Sequence, residues 1–277
     1  MFVYYARSIF HFNFVTLTML YQTITGLYAL RYYGSKCGNV HKSVGELLMM
    51  STNNLPQPNA YDHSYFAERS QNDTKRLRSF EQEKSYLSRF AENNGTILDI
   101  GCSTGEFLSS ISWQGVKYGL EISEYAKSIA LESGIHFDDD VFEKRDTFDI
   151  VVYRGTIQHL PSPFEYLQST FSILRPGGIV VFLATPNSNS VVYKMCNTLP
   201  ALDPNLNYWI PSDITLKSNL ENIGFRVIDT SYPYIGSPYA NPFMDHFRFL
   251  MLMLGRRQPK FAFWRNMMNV VARKPNE

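Results

Sequence analysis

The segment ILDIGCSTG at residues 97–105 most constrains what this chain can fold into. A short apolar run at residues 96–100 predicts a strand, and residues 106–112 predict a helix that begins directly after a glycine-containing turn. Glycine adopts backbone angles that other residues resist, and it lets a ligand approach the main chain closely. A strand, a glycine turn and a helix in this order predict a nucleotide-binding turn at the edge of an open α/β sheet.

Apolar runs and helical patterns alternate along the chain from Gly95 onward, with short connections between them. This alternation predicts a Rossmann-like, doubly wound and mostly parallel sheet of seven strands, with helices on both faces. The predicted strands are residues 96–100, 118–122, 135–137, 148–153, 179–184, 225–230 and 268–272. The predicted helices are residues 62–94, 106–112, 123–133, 163–174 and 212–224, with Ser123 and Ser162 as caps and Gly134 and Gly224 at helix ends.

The domain organisation is predicted from a Pro- and Asn-rich linker at residues 51–61. Residues 1–60 are then an N-terminal extension, and residues 61–277 form one domain whose ligand-binding core is residues 95–185. Two long stretches rich in Tyr, Pro and Asn follow this core, at residues 186–211 and 232–267. Irregular segments of that length are more often lids or binding loops than idle connections.

The N-terminal segment from Ile9 to Leu30 contains no charged residue, and its length suits a membrane span. His11, Asn13, Gln22 and four threonines interrupt it, however, and each polar group is costly in hydrocarbon. Three interpretations remain open for this segment. It is a spurious extension, an interfacial membrane segment, or a helix that packs on the main domain.

The charge and the cysteine content of the chain limit the classes of partner and the cellular compartment that we expect. The chain has 26 Lys and Arg against 25 Asp and Glu, so we expect no nucleic-acid partner, because phosphate binding needs clustered positive charge. Cys37, Cys102 and Cys196 are too few and too far apart for a disulfide framework, which predicts a cytoplasmic protein, with membrane association through the N-terminus as an open alternative. Cys37 and His41 fall short of the four ligands of a zinc site, so no metal is expected.

The residues around the glycine turn indicate which nucleotide it binds. Glu121 follows the second predicted strand, 20 residues after Gly101, which is the spacing at which an acid binds ribose hydroxyls. A phosphate-binding loop would need Lys and Ser or Thr where Glu106 and Phe107 stand, and Glu106 would repel a pyrophosphate. The turn therefore suits a nucleoside without phosphates. Asp99 adds an acid that either holds the turn or meets an ammonium group.

The segment at residues 97–105 resembles the first motif of class I S-adenosylmethionine-dependent methyltransferases. FDIVV at residues 148–152 resembles their fourth-strand motif, and LRPGG at residues 174–178 resembles their turn before strand five. The order and spacing match over residues 95–185. The chain is most similar to the branch of ubiquinone-biosynthesis and bacterial cell-surface polysaccharide methyltransferases, although it lacks the N-terminal zinc-ribbon cysteines of some relatives. Residues 1–60 are not covered.

This resemblance implies S-adenosyl-L-methionine as the cofactor and assigns a role to each matching position. Glu121 would bind the ribose, Ile122 would lie beside the adenine, and Arg154 and Gly155 would lie beside the methyl donor. Asp140 and Val141 would lie at the adenine edge, with Asp138 or Asp139 as alternatives to Asp140. The methionine part would be surrounded by Gly101, Cys102, Ser103, Thr104 and Gly105.

The acceptor side carries two candidate residues with alternative roles. His159 is either a general base for an acceptor hydroxyl or a histidine that hydrogen-bonds its own loop. Arg154 either holds an anionic group of the substrate or forms a salt bridge within the fold. The amides and hydroxyls of residues 184–190 either bind a sugar-like acceptor or form a turn.

Two further features of the C-terminal part have alternative interpretations. Tyr232, Tyr234 and Tyr239 either stack on a substrate ring or pack within a lid. Residues 245–254, followed by Arg256 and Arg257, predict an amphipathic helix that either contacts a membrane or lipid-linked substrate or packs on the core.

The leading functional hypothesis is a methyltransferase that acts at oxygen on a small-molecule or sugar-type acceptor. A second hypothesis keeps the methyl donor but assigns carbon or nitrogen acceptors. A third is a non-catalytic, membrane-associated protein that binds the cofactor on a methyltransferase-like fold. The oligomeric state is not indicated by the sequence.

Overall fold

The computed structural model describes residues 73–200, 202, 207–255 and 261–276. The predicted N-terminal extension, the linker, the segment from Ile9 to Leu30, and Arg256 and Arg257 lie outside the described residues. The domain boundary therefore stays a prediction.

The described chain alternates strands and helices, as the sequence predicts. The helices are α1 (Asp73–Leu87), α2 (Glu106–Ser110), α3 (Glu124–Glu132), α4 (Pro163–Ile173), α5 (Val191–Cys196), α6 (Asp213–Ile223) and α7 (Pro242–Met253), with 3₁₀ turns at Val141–Glu143 and Ile157–His159. The strands are β1 (Thr96–Ile100), β2 (Val116–Leu120), β3 (His136–Phe137), β4 (Phe148–Arg154), β5 (Leu174–Pro186), β6 (Arg226–Ser231) and β7 (Met267–Arg273).

These strands form one seven-stranded sheet in the order β3-β2-β1-β4-β5-β7-β6. Strands β1 to β5 pair in parallel, whereas β7 lies antiparallel between β5 and β6. The prediction of a doubly wound, mostly parallel sheet is confirmed.

Both faces of the sheet are covered, because successive side chains of a strand point to opposite faces. In β1, Ile97 packs into a core with α1 and α2, while Leu98 packs into a second core with α4 and α6. Burial on both faces explains why the parallel strands read as nearly continuous apolar runs.

Several element boundaries differ from those predicted. Strand β2 ends at Leu120, so Glu121 and Ile122 lie beyond it, in the turn. Strand β5 begins at Leu174, because its pairing with β4 continues across the Pro-Gly-Gly turn with a shift of register. Ser162 occupies the position before α4 without a capping hydrogen bond, so Pro163 at the start of the helix, with its preset backbone angle, is the remaining local signal.

The carboxyl edge of the sheet, where β1, β2, β4 and β5 end, collects the loops that carry polar residues. Because β7 runs antiparallel to β5, Met267 at its start pairs with Pro186 at the end of β5. The connection from β6 to β7, which contains α7, therefore lies at this same edge. No helix within the described ranges is long and apolar enough to cross a membrane.

Candidate functional site

The glycine turn joins β1 to α2 in a left-handed backbone conformation. Gly101, Ser103 and Gly105 have φ angles of 75°, 55° and 76°. The Gly101 N–H donates to the carbonyl of Leu120 at 2.7 Å, which ties the turn to the end of β2. A Cβ on Gly101 would lie 2.5 Å from the Thr156 side chain, so only glycine fits here. At its two glycines the turn thus presents bare main chain at the carboxyl edge.

Glu121 holds the glycine turn from the neighbouring strand end. Its Oε2 accepts the Ser103 N–H at 2.9 Å. Its Oε1 accepts the N–H groups of Ile122 and Ser123 at 2.8 and 2.9 Å. The Glu121 carboxyl group is therefore oriented by main-chain donors before any ligand arrives. A carboxylate has further acceptor sites, which leaves it able to take ribose hydroxyls.

Asp99 lies buried beneath the turn. Its Oδ1 finds no hydrogen-bond partner among the described residues, and the Ser103 hydroxyl is likewise buried without one. Burial raises the pKa of Asp99 to about 8, with the nearby Arg154 acting against this and the Glu121 and Glu83 carboxylates adding to it. A buried acid with an unused oxygen suits a cationic ligand group such as an ammonium.

Arg154, at the end of β4, forms a largely buried ion pair with Glu83 of α1. Its Nε lies 2.6 Å from Glu83 Oε2, and its guanidinium lies over the Phe80 ring at 4.4 Å from the centroid. The structure thus shows the salt bridge that was one of the two roles considered for Arg154. Nε and one terminal nitrogen of Arg154 are used in this pair, and its positive charge also acts to lower the pKa of the buried Asp99.

The N-terminus of α2, beside the turn, already carries a negatively charged residue of its own. Glu106, the first residue of α2, lies 2.6 Å from Arg76 of α1. A carboxylate at this position occupies the helix end that would otherwise attract a phosphate. This geometry agrees with the prediction of a ligand without phosphates.

The side of the turn predicted to meet adenine lies near Ile122, whose side chain is 66% exposed. Of the three acids after β3, Asp138 and Asp139 form ion pairs with Lys144 and Lys127. Asp140 forms none within the described ranges and is exposed, so it is the acid best placed for a ligand. Val141 contributes only main chain there, since its side chain is buried in the core.

His159 lies in the 3₁₀ turn after β4, next to a buried glutamine. The Gln158 side-chain amide donates to the Gly155 carbonyl at 2.8 Å and lies 3.2 Å from His159 Nε2. In the tautomer whose Nε2 carries no proton, the Gln158 amide donates and Nε2 accepts. Gly155, with a left-handed φ of 61°, lies in the same loop.

Four buried amide side chains at the carboxyl edge have polar atoms without partners in the part of the chain that the structure describes. We call Gln158, Asn187, Asn207 and Asn266 the amide group. The Asn187 N–H donates to the Asn266 carbonyl, and the N–H of Tyr208, next to Asn207, donates to the Gln158 carbonyl. Buried amides are normally satisfied by protein, water or ligand, so this group needs additional partners.

The polar segment after β5 is mainly a turn. Asn187 Oδ1 accepts the N–H groups of Asn189 and Asp213, and the Asn189 amide donates to Asp213 at 2.8 Å. Burial acts to raise the pKa of Asp213, but hydrogen bonds from Tyr232, Asn189 and Arg265 outweigh it and hold the pKa below its usual value. The turn interpretation therefore accounts for most of this segment.

The tyrosines of the last connection differ in role. The Tyr232 hydroxyl donates to Asp213, and the Tyr234 hydroxyl donates to the buried Asp245 of α7 at 3.1 Å. Both therefore pack within the fold, as the lid interpretation predicts, whereas Tyr239 remains exposed.

Comparison with known proteins shows the family. A model described as a methyltransferase domain matches residues 71–230, which is more than half of the chain. The chain belongs to the class I S-adenosylmethionine-dependent methyltransferases.

Curated relatives of this methyltransferase include ubiquinone biosynthesis O-methyltransferases. The protein from Colwellia psychrerythraea is 29% identical over 111 residues, which cover 36% of this chain and 45% of the relative. The protein from Pectobacterium atrosepticum is 30% identical over 124 residues, covering 40% and 51% respectively. The chain thus spans about half the length of the curated relatives it matches.

Solved structures share the fold at low identity. A methyltransferase from Thermotoga maritima has a TM-score of 0.55 at 17% identity, covering 78% of this chain and 99% of its own. The methyltransferase solved with the Haloferax volcanii Trm112 activator has a TM-score of 0.56 at 16% identity, covering 79% and 98%. These likenesses concern the fold alone.

The cofactor site of this methyltransferase fits S-adenosylmethionine on its own geometry. The glycine turn leaves room for close approach, Asp99 offers an unpartnered buried oxygen, and Ile122 offers an exposed apolar side chain. Glu121 stays the predicted group for the ribose. Cys102 and Thr104 lie in the turn, and burial raises the pKa of the Cys102 thiol, which makes it an inert packing residue.

Some site residues were missed by the sequence interpretation. Glu83 gave no local signal, because it lies 71 residues from the Arg154 that it pairs with. Gln158, Asn207 and Asn266 were not singled out either. The sequence offered one weak signal for each of two of them. Gln158 precedes the candidate base His159, and Asn266 precedes the apolar run of the last strand.

We expect Glu121→Ala to weaken S-adenosylmethionine binding by roughly 10- to 100-fold, which is what hydrogen bonds to a charged group are worth. Isothermal titration calorimetry on the folded variant measures this. Glu124→Ala, three residues further on at an exposed position of α3, should bind like the parent. Unchanged affinity in Glu121→Ala would remove Glu121 from the ribose site.

Proposed function

We propose that this methyltransferase acts at oxygen on an uncharged, hydroxyl-rich small molecule of the sugar type. The observation that carries this proposal is the amide group, whose buried polar atoms lie at the carboxyl edge and have no hydrogen-bond partner among the described residues. Side-chain amides both donate and accept hydrogen bonds, which matches the donor and acceptor character of hydroxyl groups.

The charges around this edge favour a neutral acceptor. Arg265 forms an ion pair with Asp213 at 2.7 Å, and Arg154 forms one with Glu83 at 2.6 Å. A negatively charged acceptor group would therefore compete with the existing ion pairs of these two arginines. The ubiquinone biosynthesis relatives are O-methyltransferases by name, which also supports transfer to oxygen.

When bound, S-adenosylmethionine supplies an electrophilic methyl group, and the residues of this chain align the acceptor and exclude water. We assign the uptake of the acceptor hydroxyl proton to His159 Nε2. Gln158 orients the imidazole by donating to that nitrogen, and it must release the contact as the acceptor enters. The amide group then fixes the remaining hydroxyls of the acceptor.

The function is tested with purified protein, labelled S-adenosylmethionine and parallel panels of hydroxylated sugars, phenols and amines. Mass analysis of the products identifies the methylated atom. Transfer to a sugar hydroxyl is the expected result. Methylation confined to amines or to carbon would overturn the proposal, while leaving the cofactor site intact.

We expect His159→Ala to lower kcat by about 10²- to 10⁴-fold, the usual contribution of a general base, with unchanged cofactor affinity. The measurement is steady-state kinetics on the identified acceptor, together with calorimetry. His136→Ala, which removes an exposed histidine at β3, serves as the control. Full turnover in His159→Ala would leave this residue with a structural role.

A further inference from the structure

Helix α7 carries a row of large apolar side chains on its outer face. Phe243, Phe247, Leu250 and Leu254 are 83%, 54%, 49% and 71% exposed. Spacings of four, three and four residues place them on one line along the helix. Leu254 is the residue that ends α7. We call these four residues the outer row.

The opposite face of α7 is firmly attached to the domain. Phe249 stacks on Phe263 with ring centroids 4.4 Å apart. Leu252, three residues further along α7, is also buried. Asp245 is also buried and accepts hydrogen bonds from the Asn241 N–H and the Tyr234 hydroxyl. Because the inner face is packed and hydrogen-bonded, the outer row cannot turn inward without breaking these contacts.

An exposed apolar row of this kind is costly in water and indicates an interaction surface. Other large apolar side chains of the same connection are exposed as well. They are Ile235, Tyr239, Met244 and Trp264.

The charge of this segment indicates what the surface meets. Residues 246–264 contain four Lys or Arg and no Asp or Glu, in a chain whose net charge is only +1. Arg248 lies on α7 itself, is exposed, and pairs at 3.5 Å with the buried Asp245. The other three, Arg256, Arg257 and Lys260, follow α7 in the sequence. An apolar helix face next to basic residues is the pattern that binds anionic membrane surfaces.

We propose that the outer row of α7 docks this methyltransferase on an anionic lipid surface, with the helix lying in the plane of the interface. Since α7 belongs to the connection at the carboxyl edge, docking brings that edge to the membrane surface. The enzyme would then meet acceptors that are presented there.

A second copy of the chain is a poorer occupant of this surface. Pairing two outer rows face to face would bring two basic, acid-free segments together, and like charges at an interface oppose association. A lipid surface with anionic headgroups satisfies both the apolar row and the positive charge.

The full chain is tested by co-sedimentation with vesicles of phosphatidylcholine alone or with about one third phosphatidylglycerol. The test variant carries Phe243→Ser, Phe247→Ser and Leu254→Ser. We expect its partition coefficient on the anionic vesicles to fall at least tenfold, and binding of the parent to weaken in high salt.

The matched control carries Leu77→Ser, Leu131→Ser and Ile214→Ser, three exposed apolar residues on other helices, and should bind like the parent. Equal vesicle binding by the test variant and the parent would overturn the proposal. So would a concentration-dependent dimer in ultracentrifugation that the test variant abolishes without any lipid binding. Neither measurement depends on methyl transfer, so a failure of the membrane proposal is distinguishable from a failure of the proposed acceptor.

Discussion

Gly101→Val should abolish S-adenosylmethionine binding, with affinity lowered at least 100-fold. The residue has a left-handed φ of 75°, and a Cβ there would lie 2.5 Å from the Thr156 side chain. A branched side chain resists this conformation and would also fill the space where the cofactor meets the main chain. Calorimetric titration of the purified variant measures the loss.

Gly134→Val is the matched control for backbone strain. Gly134 has nearly the same φ, 76°, but a Cβ there meets nothing within 4 Å. Both variants should lose about 1–3 kcal/mol of stability from the strained backbone. Only Gly101→Val should lose the cofactor, and if it fails to fold, Gly101→Ala replaces it. Parental affinity in a folded Gly101 variant would show that the cofactor lies elsewhere.

Arg154→Met should lower the free energy of unfolding by about 3–5 kcal/mol, because it leaves the buried Glu83 carboxylate without its partner. Urea denaturation followed by circular dichroism measures this. Lys84→Met, which removes an exposed 3.9 Å contact with Glu81 on the same helix, should cost about 1 kcal/mol or less. Equal losses in both variants would contradict a stabilising role for the buried pair.

The loss in Arg154→Met should grow with pH. Burial raises the pKa of Asp99 from 3.8 to about 8, and Arg154 is the group that acts against this rise. In the pH window between these values the unfolded chain has released the proton while the folded chain retains it, so stability falls as pH rises. Without Arg154 the folded pKa rises further, and the window extends to higher pH. Parent and variant therefore diverge above about pH 8, and denaturation at about pH 6 and about pH 9.5 compares the two regimes. A loss independent of pH would mean that Arg154 does not act on Asp99.

The strand-helix order and the glycine turn were predictable, because they depend on neighbouring residues. Backbone freedom at Gly101, the apolar runs of the buried strands and the 20-residue spacing to Glu121 are all local properties of the chain. The ends of elements were less predictable. Strand β2 stops two residues earlier than expected, where pairing with β1 ends, and this places Glu121 in the turn instead of in the strand.

The sequence by itself determined the class of fold, the glycine turn at residues 101–105 and the acid at Glu121. Each of these follows from the pattern of residues close together in the chain. Only the tertiary structure decided that Arg154 pairs with Glu83, that β7 lies antiparallel between β5 and β6, and that α7 turns an apolar row outward. These features join residues distant in the chain, or depend on which face of a helix finds a partner. Packing of the whole domain sets them, and no local pattern encodes them.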